Sequence, residues 1–271
     1  GRHPAGFRPV TLIRMSALPP TLRAVRAAVD TRLAQVLDAR RAQWADLAPA
    51  CEDLLDAAEA LVSSGKRMRA VLGAVGLALG APGAAPEERS RLMTGATAVR
   101  LGAALELYQA SALVHDDVVD AAPTRRGLPA AHRRYAAQHA ASHWLGDAAT
   151  YGSSAAILLG DLLMSLASAE MGAAVAPLAD SAQAAAVRDA FDAMTAEVAV
   201  GQYLDVRCQQ LPPPSPDEDP PPYVLVLATG GPGQHDRVLY TAQITIDSYA
   251  PTTWWAGELA ISIFFTLKFR S

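Results

Sequence analysis

Residues Ala112 to Ala122 read A-L-V-H-D-D-V-V-D-A-A, three aspartates inside a run that is otherwise almost entirely apolar. Apolar stretches normally exclude carboxylates, because burying a charge without a partner is expensive. On a helix Asp116 and Asp120 share one face, one turn apart, and Asp117 sits about 100 degrees round from Asp116. Like charges at that spacing destabilise a bare helix by roughly 0.2–0.5 kcal/mol. Any fold that keeps this segment helical must therefore supply compensation, and a hard divalent cation is the simplest candidate. Mg²⁺ takes oxygen ligands, keeps several waters, and binds through one or two carboxylates together with substrate phosphates. The competing reading is the polar end of a core helix with its aspartates in solvent.

Basic residues near the run favour the phosphate reading. Arg125 and Arg126 follow closely, then Gly127, Pro129 and His132, and upstream lies a basic knot, Ser63-Ser64-Gly65-Lys66-Arg67-Met68-Arg69. Guanidinium groups offer bidentate bonds to phosphate oxygens and lysine a point charge. Gly65 lets backbone approach closely. Two basic clusters and one acidic cluster suit two anionic groups, one bridged by metal and one held by cations alone. Taken singly, the knot could be a solvated turn. Asp161 after Gly160, and Gly201-Gln202-Tyr203-Leu204-Asp205, are weak signals alone.

The periodicity is helical over most of the chain. Leu22, Val25, Val29, Leu33, Val36 and Leu37 follow a three-to-four spacing. Further helices are predicted from about Cys51 to Ser63, Arg69 to Leu79, Glu87 to Val119, His132 to His143, Ser154 to Ala169 and Ser181 to Gln209. Pro123, Gly127 and Pro129 interrupt the pattern after the aspartates. At Leu211 the texture changes: LPPPSPDEDPPPY holds seven prolines in thirteen residues, which excludes a helix interior. Beyond it the segment VLYTAQITIDSY is strand-like. The expected organisation is a flexible leader at 1–20, a helical body at 21–210 and an atypical segment at 211–271.

With 271 residues, 51% hydrophobic and 18% charged, the chain can bury a sizeable core and is not a disordered polymer. A formal net charge of -4 argues against a nucleic-acid binder. Cys51 and Cys208 resemble neither a disulfide framework nor a metal cluster, so a reducing, cytoplasmic setting is expected. The opening residues read as a leader and not a secretion signal. No uninterrupted apolar run reaches about 18 residues, so no membrane span is expected. His139, His143 and Asp147 carry a spacing that could bind zinc, but packing histidines are the preferred reading.

These motifs together resemble the trans-isoprenyl diphosphate synthases, the polyprenyl synthetase family, and within it the geranylgeranyl diphosphate synthases. The first aspartate-rich motif, DDxxD, is Asp116-Asp117-Val118-Val119-Asp120, followed by Arg125-Arg126-Gly127-Leu128-Pro129 and His132. Gly65-Lys66-Arg67-Met68-Arg69 matches the upstream basic element, and Glu106-Leu107-Tyr108-Gln109, Ile157-Leu158-Leu159-Gly160-Asp161 and Gly201-Gln202-Tyr203-Leu204-Asp205 match others. The likeness spans about 20–210.

The resemblance implies an all-α bundle of long helices around a central cavity, and a homodimer. Asp116, Asp117 and Asp120 would hold Mg²⁺ against an allylic diphosphate, which Arg125 would also contact. Lys66, Arg69 and Arg126 would hold isopentenyl diphosphate, with Gln109 nearby. The reaction is head-to-tail condensation, ending in loss of a proton. In the family, residues four and five before the first aspartate help set product length. Here these are Ala112 and Ser111, both small, implying a C20 or longer product. A terpene cyclase and a noncatalytic or regulatory subunit of a synthase complex stay open as alternatives, although a cyclase needs no second diphosphate site.

The family also carries a second aspartate-rich motif, expected near the end of this sequence or just beyond it, and no second DDxxD occurs in the sequence. Three readings stay open: truncation or a changed reading frame after about Gln210, a divergent or inactive partner subunit, or a tail unlike the natural one. Weak turnover with retained diphosphate binding is the corresponding expectation.

Overall fold

The computed structural model describes residues 19–210, except 82 and 179, and the backbone of 223–230, 234–235, 238–239 and 243–249. Residues 1–18 of the expected leader, the proline-rich run at 211–222, and residues 231–233, 236–237, 240–242 and 250–271 lie outside the described residues. Chain contacts define one compact unit, Leu18–Phe191, and a second that holds Asp192–Ser271.

The first unit is an all-α bundle. Helix α1, Pro20–Gln43, starts on a proline whose missing N–H costs nothing there. It buries Val25, Val29, Leu33, Val36 and Leu37, the predicted stripe. Helices α2 (Glu52–Val62) and α3 (Met68–Leu79) follow. The predicted run Glu87 to Val119 is two helices, α4 (Pro86–Thr94) and α5 (Ala96–Val119). The break falls at Gly95, whose φ/ψ of -72/164 is extended and ends the hydrogen-bond ladder. Helix α6 spans Ala131–Ala141 and α7 Ala148–Val175. The latter begins earlier than its apolar pattern suggests, because Asp147 caps it by accepting from Thr150 N at 2.8 Å. Helix α8, Ser181–Cys208, begins in this unit and runs into the second.

The centre of the bundle is α5, which packs against α7, α3 and α1. Its buried residues, including Ala98, Ala103, Ala104, Leu107, Ala110 and Val114, lie around much of its circumference. Small side chains let neighbours approach closely. At Gly152 on α7 an added Cβ would lie 2.3 Å from the carbonyl oxygen of His132 on α6, so only glycine permits that crossing. Opposite the aspartates, Glu170 of α7 is buried and ties three helices together. Arg32 of α1 donates to it twice, at 2.6 and 2.8 Å, and Arg100 of α5 lies at 3.4 Å.

Helix α7 is long and apolar enough to span a membrane by length and composition. Here Leu159, Leu163, Ala167 and Met171 of that helix are buried in the bundle, where it packs on α5 and α6.

Between α5 and α6 a two-stranded hairpin, β1 (Thr124–Arg125) and β2 (Leu128–Pro129), pairs Arg125 with Leu128. The second unit contains the antiparallel pair β3 (Tyr223–Gly230) and β6 (Gln243–Tyr249), and the short pair β4 (Gln234–His235) and β5 (Val238–Leu239). Part of the strand-like sequence after the prolines thus forms strands.

Candidate functional site

Helix α5 ends in the acidic run. Asp116 and Asp117 lie in its last turn and Asp120 is its C-cap, with its N–H bonded to Asp116 O at 2.8 Å. Three carboxylates at a helix C-terminus meet the negative end of the peptide dipole, so the placement is electrostatically unfavourable without a cation. Asp117 is buried at 2% exposure, Asp116 is half-buried and Asp120 is exposed.

The hairpin supplies a cation. Arg126 and Gly127 form its loop with φ of 53° and 79°, the two positive values that a type I′ turn requires. The tight reversal folds Arg125 back onto α5. Its Nε and Nη2 donate to Asp117 Oδ1 at 2.9 and 2.6 Å, and Nη2 also donates to Asp116 Oδ2 at 3.0 Å. Burial opposes the Arg125 charge, but the bonds to Asp117 and then Asp116 outweigh it and hold the guanidinium above its ordinary value.

The second basic element is built around Arg67, to which its place in the motif assigns no role. Its backbone is left-handed at φ 51° and its side chain is buried. Such a backbone persists only where surrounding contacts enforce it. Arg67 donates to Asp30 at 2.6 Å, to Ser64 O at 3.3 Å and to Val62 O, and sits 3.5 Å from Glu106. Glu106 also accepts from Ala70 N at 3.4 Å, serving the first turn of α3 where its own N-cap offers no side-chain bond. Lys66 is therefore held on an anchored loop with its side chain exposed. Arg69 is half-buried, and burial lowers its guanidinium below the ordinary value while Glu106 acts the other way. Arg126 donates to Ser64 O at 3.4 Å, which joins the hairpin tip to this loop.

Gln109, Ala112 and Asp116 lie on one half-open face of α5, whereas Ser111 is completely buried with its hydroxyl unpartnered among the described residues. Tyr108 on the same helix packs edge-on to Phe191, with ring centroids 6.0 Å apart, and burial pushes its phenol up to about 12.

His115 carries a role that its sequence context did not announce. Its Nε2 lies 3.2 Å from Ile157 O and 3.3 Å from Asp161 Oδ1 on α7. Gly160 makes room for it, since an added Cβ there would stand 2.3 Å from that nitrogen. Asp161 thus joins the aspartate end through His115. His132 is buried, and burial lowers its imidazole below the ordinary value, with Arg133 adding to the effect and Asp117 opposing it. Asp205 lies exposed on α8 and accepts from Gln209.

The zinc spacing is not realised. Helix α6 stops at Ala141, His143 adopts φ 54°, His139 bonds Leu145 O at 3.1 Å and Asp147 caps α7. Among the described residues no three His, Cys, Asp or Glu side chains converge to enclose an ion. Mg²⁺ does not require such convergence, because it needs only one or two carboxylates when phosphate and water complete its shell. The donors present are hard oxygens, and Arg125 bonds only two of the three carboxylates among the described residues, so the residues fit that ion.

The arrangement defines a class: a helical bundle whose central helix ends in carboxylates, with two basic elements folded toward that end. Residues 51–218 match the family model described as polyprenyl synthetase. The geranylgeranyl pyrophosphate synthase of Corynebacterium glutamicum, solved with isoprenyl diphosphate and magnesium, is 32% identical over 69% of this chain, with a TM-score of 0.59. The geranylgeranyl pyrophosphate synthetase of Pyrococcus horikoshii Ot3 is 25% identical over 70% of this chain, with a TM-score of 0.47. The alignments cover 51% and 48% of those chains, so this chain spans about half the length of either. The chain belongs to the polyprenyl synthetase family.

Proposed function

We propose that this chain binds an allylic diphosphate at Asp116, Asp117 and Asp120 and isopentenyl diphosphate at Lys66, Arg69, Arg126 and Gln109, and that it joins them head to tail as a prenyltransferase. The observation that carries the reading is the fold-back of Arg125 onto Asp116 and Asp117 within 3.0 Å. It marks the carboxylates as a site whose charge demands a cation. Bound there, Mg²⁺ would neutralise charge on a departing diphosphate.

The residues divide the work. Arg125 balances the carboxylates in the absence of ligand and can turn its donors to a phosphate when other cations take its place. Lys66 and Arg69, on the loop anchored by Arg67, fix the second diphosphate. The half-open face of α5 presents Gln109 and Ala112 to the prenyl chain, and an allylic cation formed there must be kept from water that would quench it. The double bond of isopentenyl diphosphate attacks that cation, and a proton then passes to the released diphosphate. Ala112, small and half-open, leaves room for a C20 or longer product. Ser111 is packed inside the bundle and acts on chain length only through α5. A cytoplasmic homodimer is part of the same reading.

The test is calorimetric titration with an allylic thiolodiphosphate, with and without Mg²⁺, beside turnover assays with isopentenyl diphosphate and C5, C10 and C15 partners. Magnesium should tighten binding, and D116N/D120N should lose about tenfold or more of that gain. Binding indifferent to both magnesium and the aspartates would refute the assignment.

A further inference from the structure

Asp116 stands between two tethered neighbours. Successive helix residues lie about 100 degrees apart, so Asp117 flanks it on one side and His115 on the other. Asp117 is tied to the hairpin, where Arg125 bonds it at 2.6 and 2.9 Å. His115 is tied to α7, its Nε2 lying 3.2 Å from Ile157 O and 3.3 Å from Asp161 Oδ1. A carbonyl oxygen and a carboxylate only accept, so Nε2 carries a hydrogen and donates to both, in the neutral ring and in the cation alike.

The ring is also held by shape. The three atoms nearest to a Cβ added at Gly160 are Nε2, Cε1 and Cδ2 of His115, at 2.3, 2.6 and 2.7 Å. The imidazole therefore rests directly on the α7 backbone, in a notch that any side chain at 160 would fill. The notch fixes where the ring sits, and the two bonds fix its rotation. The ring is 30% exposed and the Asp161 side chain 57% exposed, so the pair adds little to stability by itself. What it secures is direction. Like charges repel one another at this helix end, and a binding constellation must be held to within about 0.5 Å by side chains whose own rotamers are locked.

We infer that His115 is a positioning residue for the proposed magnesium–diphosphate site, and that Asp161 serves it as an acceptor instead of acting as a further metal ligand. The lock keeps the last turn of α5 from unwinding and sets the direction in which Asp116 presents its carboxylate. The inference rests on the reading of the aspartates given above. It extends that reading to Gly160 and Asp161, which hold neither diphosphate there, and places their effect on the allylic side of the reaction.

The experiment is calorimetric titration of the full chain with an allylic thiolodiphosphate, with and without Mg²⁺, and separately with isopentenyl diphosphate alone. His115→Ala and Asp161→Ala should each reduce the magnesium-dependent gain in allylic affinity by about tenfold, the usual effect of removing a group that orients a metal ligand. Asp161→Asn keeps an acceptor oxygen and should stay within about twofold of the parent. Gly160→Ala expels the ring and should behave like H115A. Isopentenyl diphosphate should bind all four variants as it binds the parent, which a general loosening of the bundle would not allow. Asp161 is exposed, so D161A and D161N keep their fold even if G160A does not. An equal magnesium gain in the parent, H115A and D161A would overturn this inference alone, whereas a parent with no magnesium gain would overturn the diphosphate reading with it. A loss in D161N as large as in D161A would make the charge of Asp161 the active feature, as in a metal ligand, and would overturn the positioning role.

Discussion

Replacing Arg125 with glutamine removes a guanidinium that bonds both Asp116 and Asp117. Three hydrogen bonds of 2.6–3.0 Å disappear, and the Asp117 side chain, only 3% exposed, loses its counter-charge. Breaking a buried ion pair from one side costs about 3–5 kcal/mol, because the remaining charge is stranded. Asp116 is 18% exposed and recovers some hydration, so the lower end of that range applies, about 3 kcal/mol. At about 2–4 °C per kcal/mol for a body of this size, the melting temperature should fall by roughly 6–12 °C. In the double variant R125Q/D117N the buried Asp117 charge is gone and only the half-buried Asp116 has lost its partner, so about 2 kcal/mol should return. Magnesium supplies a second discriminating arm. An ion at a hundred times its dissociation constant stabilises by about 2.7 kcal/mol. R125Q should gain more from it than the parent, in which the ion must compete with Arg125. Urea unfolding of the parent, R125Q and the double variant, each with and without Mg²⁺, reads these differences. The reasoning fails if R125Q is as stable as the parent, if the double variant recovers nothing, or if magnesium stabilises R125Q no more than the parent.

Arg67→Met should destabilise the fold by about 3 kcal/mol in urea, since Asp30 and two carbonyls lose a buried donor, and should weaken isopentenyl diphosphate binding because Lys66 loses its anchored loop. The His132 imidazole is held below its ordinary value, so the unfolded chain binds that proton more readily than the folded one. Its contribution to stability is therefore intact above the usual histidine range and declines as pH falls below about 6.5. Histidine-to-leucine replacement at 132 should flatten that part of a stability–pH profile. Ala112→Phe should shorten the prenyl product, read by mass spectrometry of the extracted chains, and a product distribution identical to the parent's would remove Ala112 from the cavity wall.

Much of this architecture is visible in the residues because periodicity and chemistry coincide. The α1 stripe from Val25 to Leu37 reports a core face directly, and the carboxylates announce a cation requirement before any geometry is known. The division at Gly95 is not visible, since one glycine in an alanine-rich run looks like any other helical position until its carbonyl partners are known. The roles of Arg67 and Glu106 are hidden for another reason. Both are charged residues expected at the surface by composition, and only a tertiary bond 39 residues apart in sequence makes them structural. The hairpin lies between: Gly127 flags a turn, but the reversal that aims Arg125 at Asp117 depends on Arg126 adopting a positive φ. For His115, the adjacent aspartates draw attention away from a ring whose function depends on a glycine 45 positions later.

One rod spaces both ends of the chemistry. Glu106, which braces the cationic loop, and Asp116, which opens the acidic end, sit on the same uninterrupted helix ten residues apart. At 1.5 Å of rise per residue that is about 15 Å, a separation no loop movement can stretch. A single inserted or deleted residue between them would swing one brace about 100 degrees away from its mate, so this stretch of the chain should tolerate exchanges of side chain far better than changes of length.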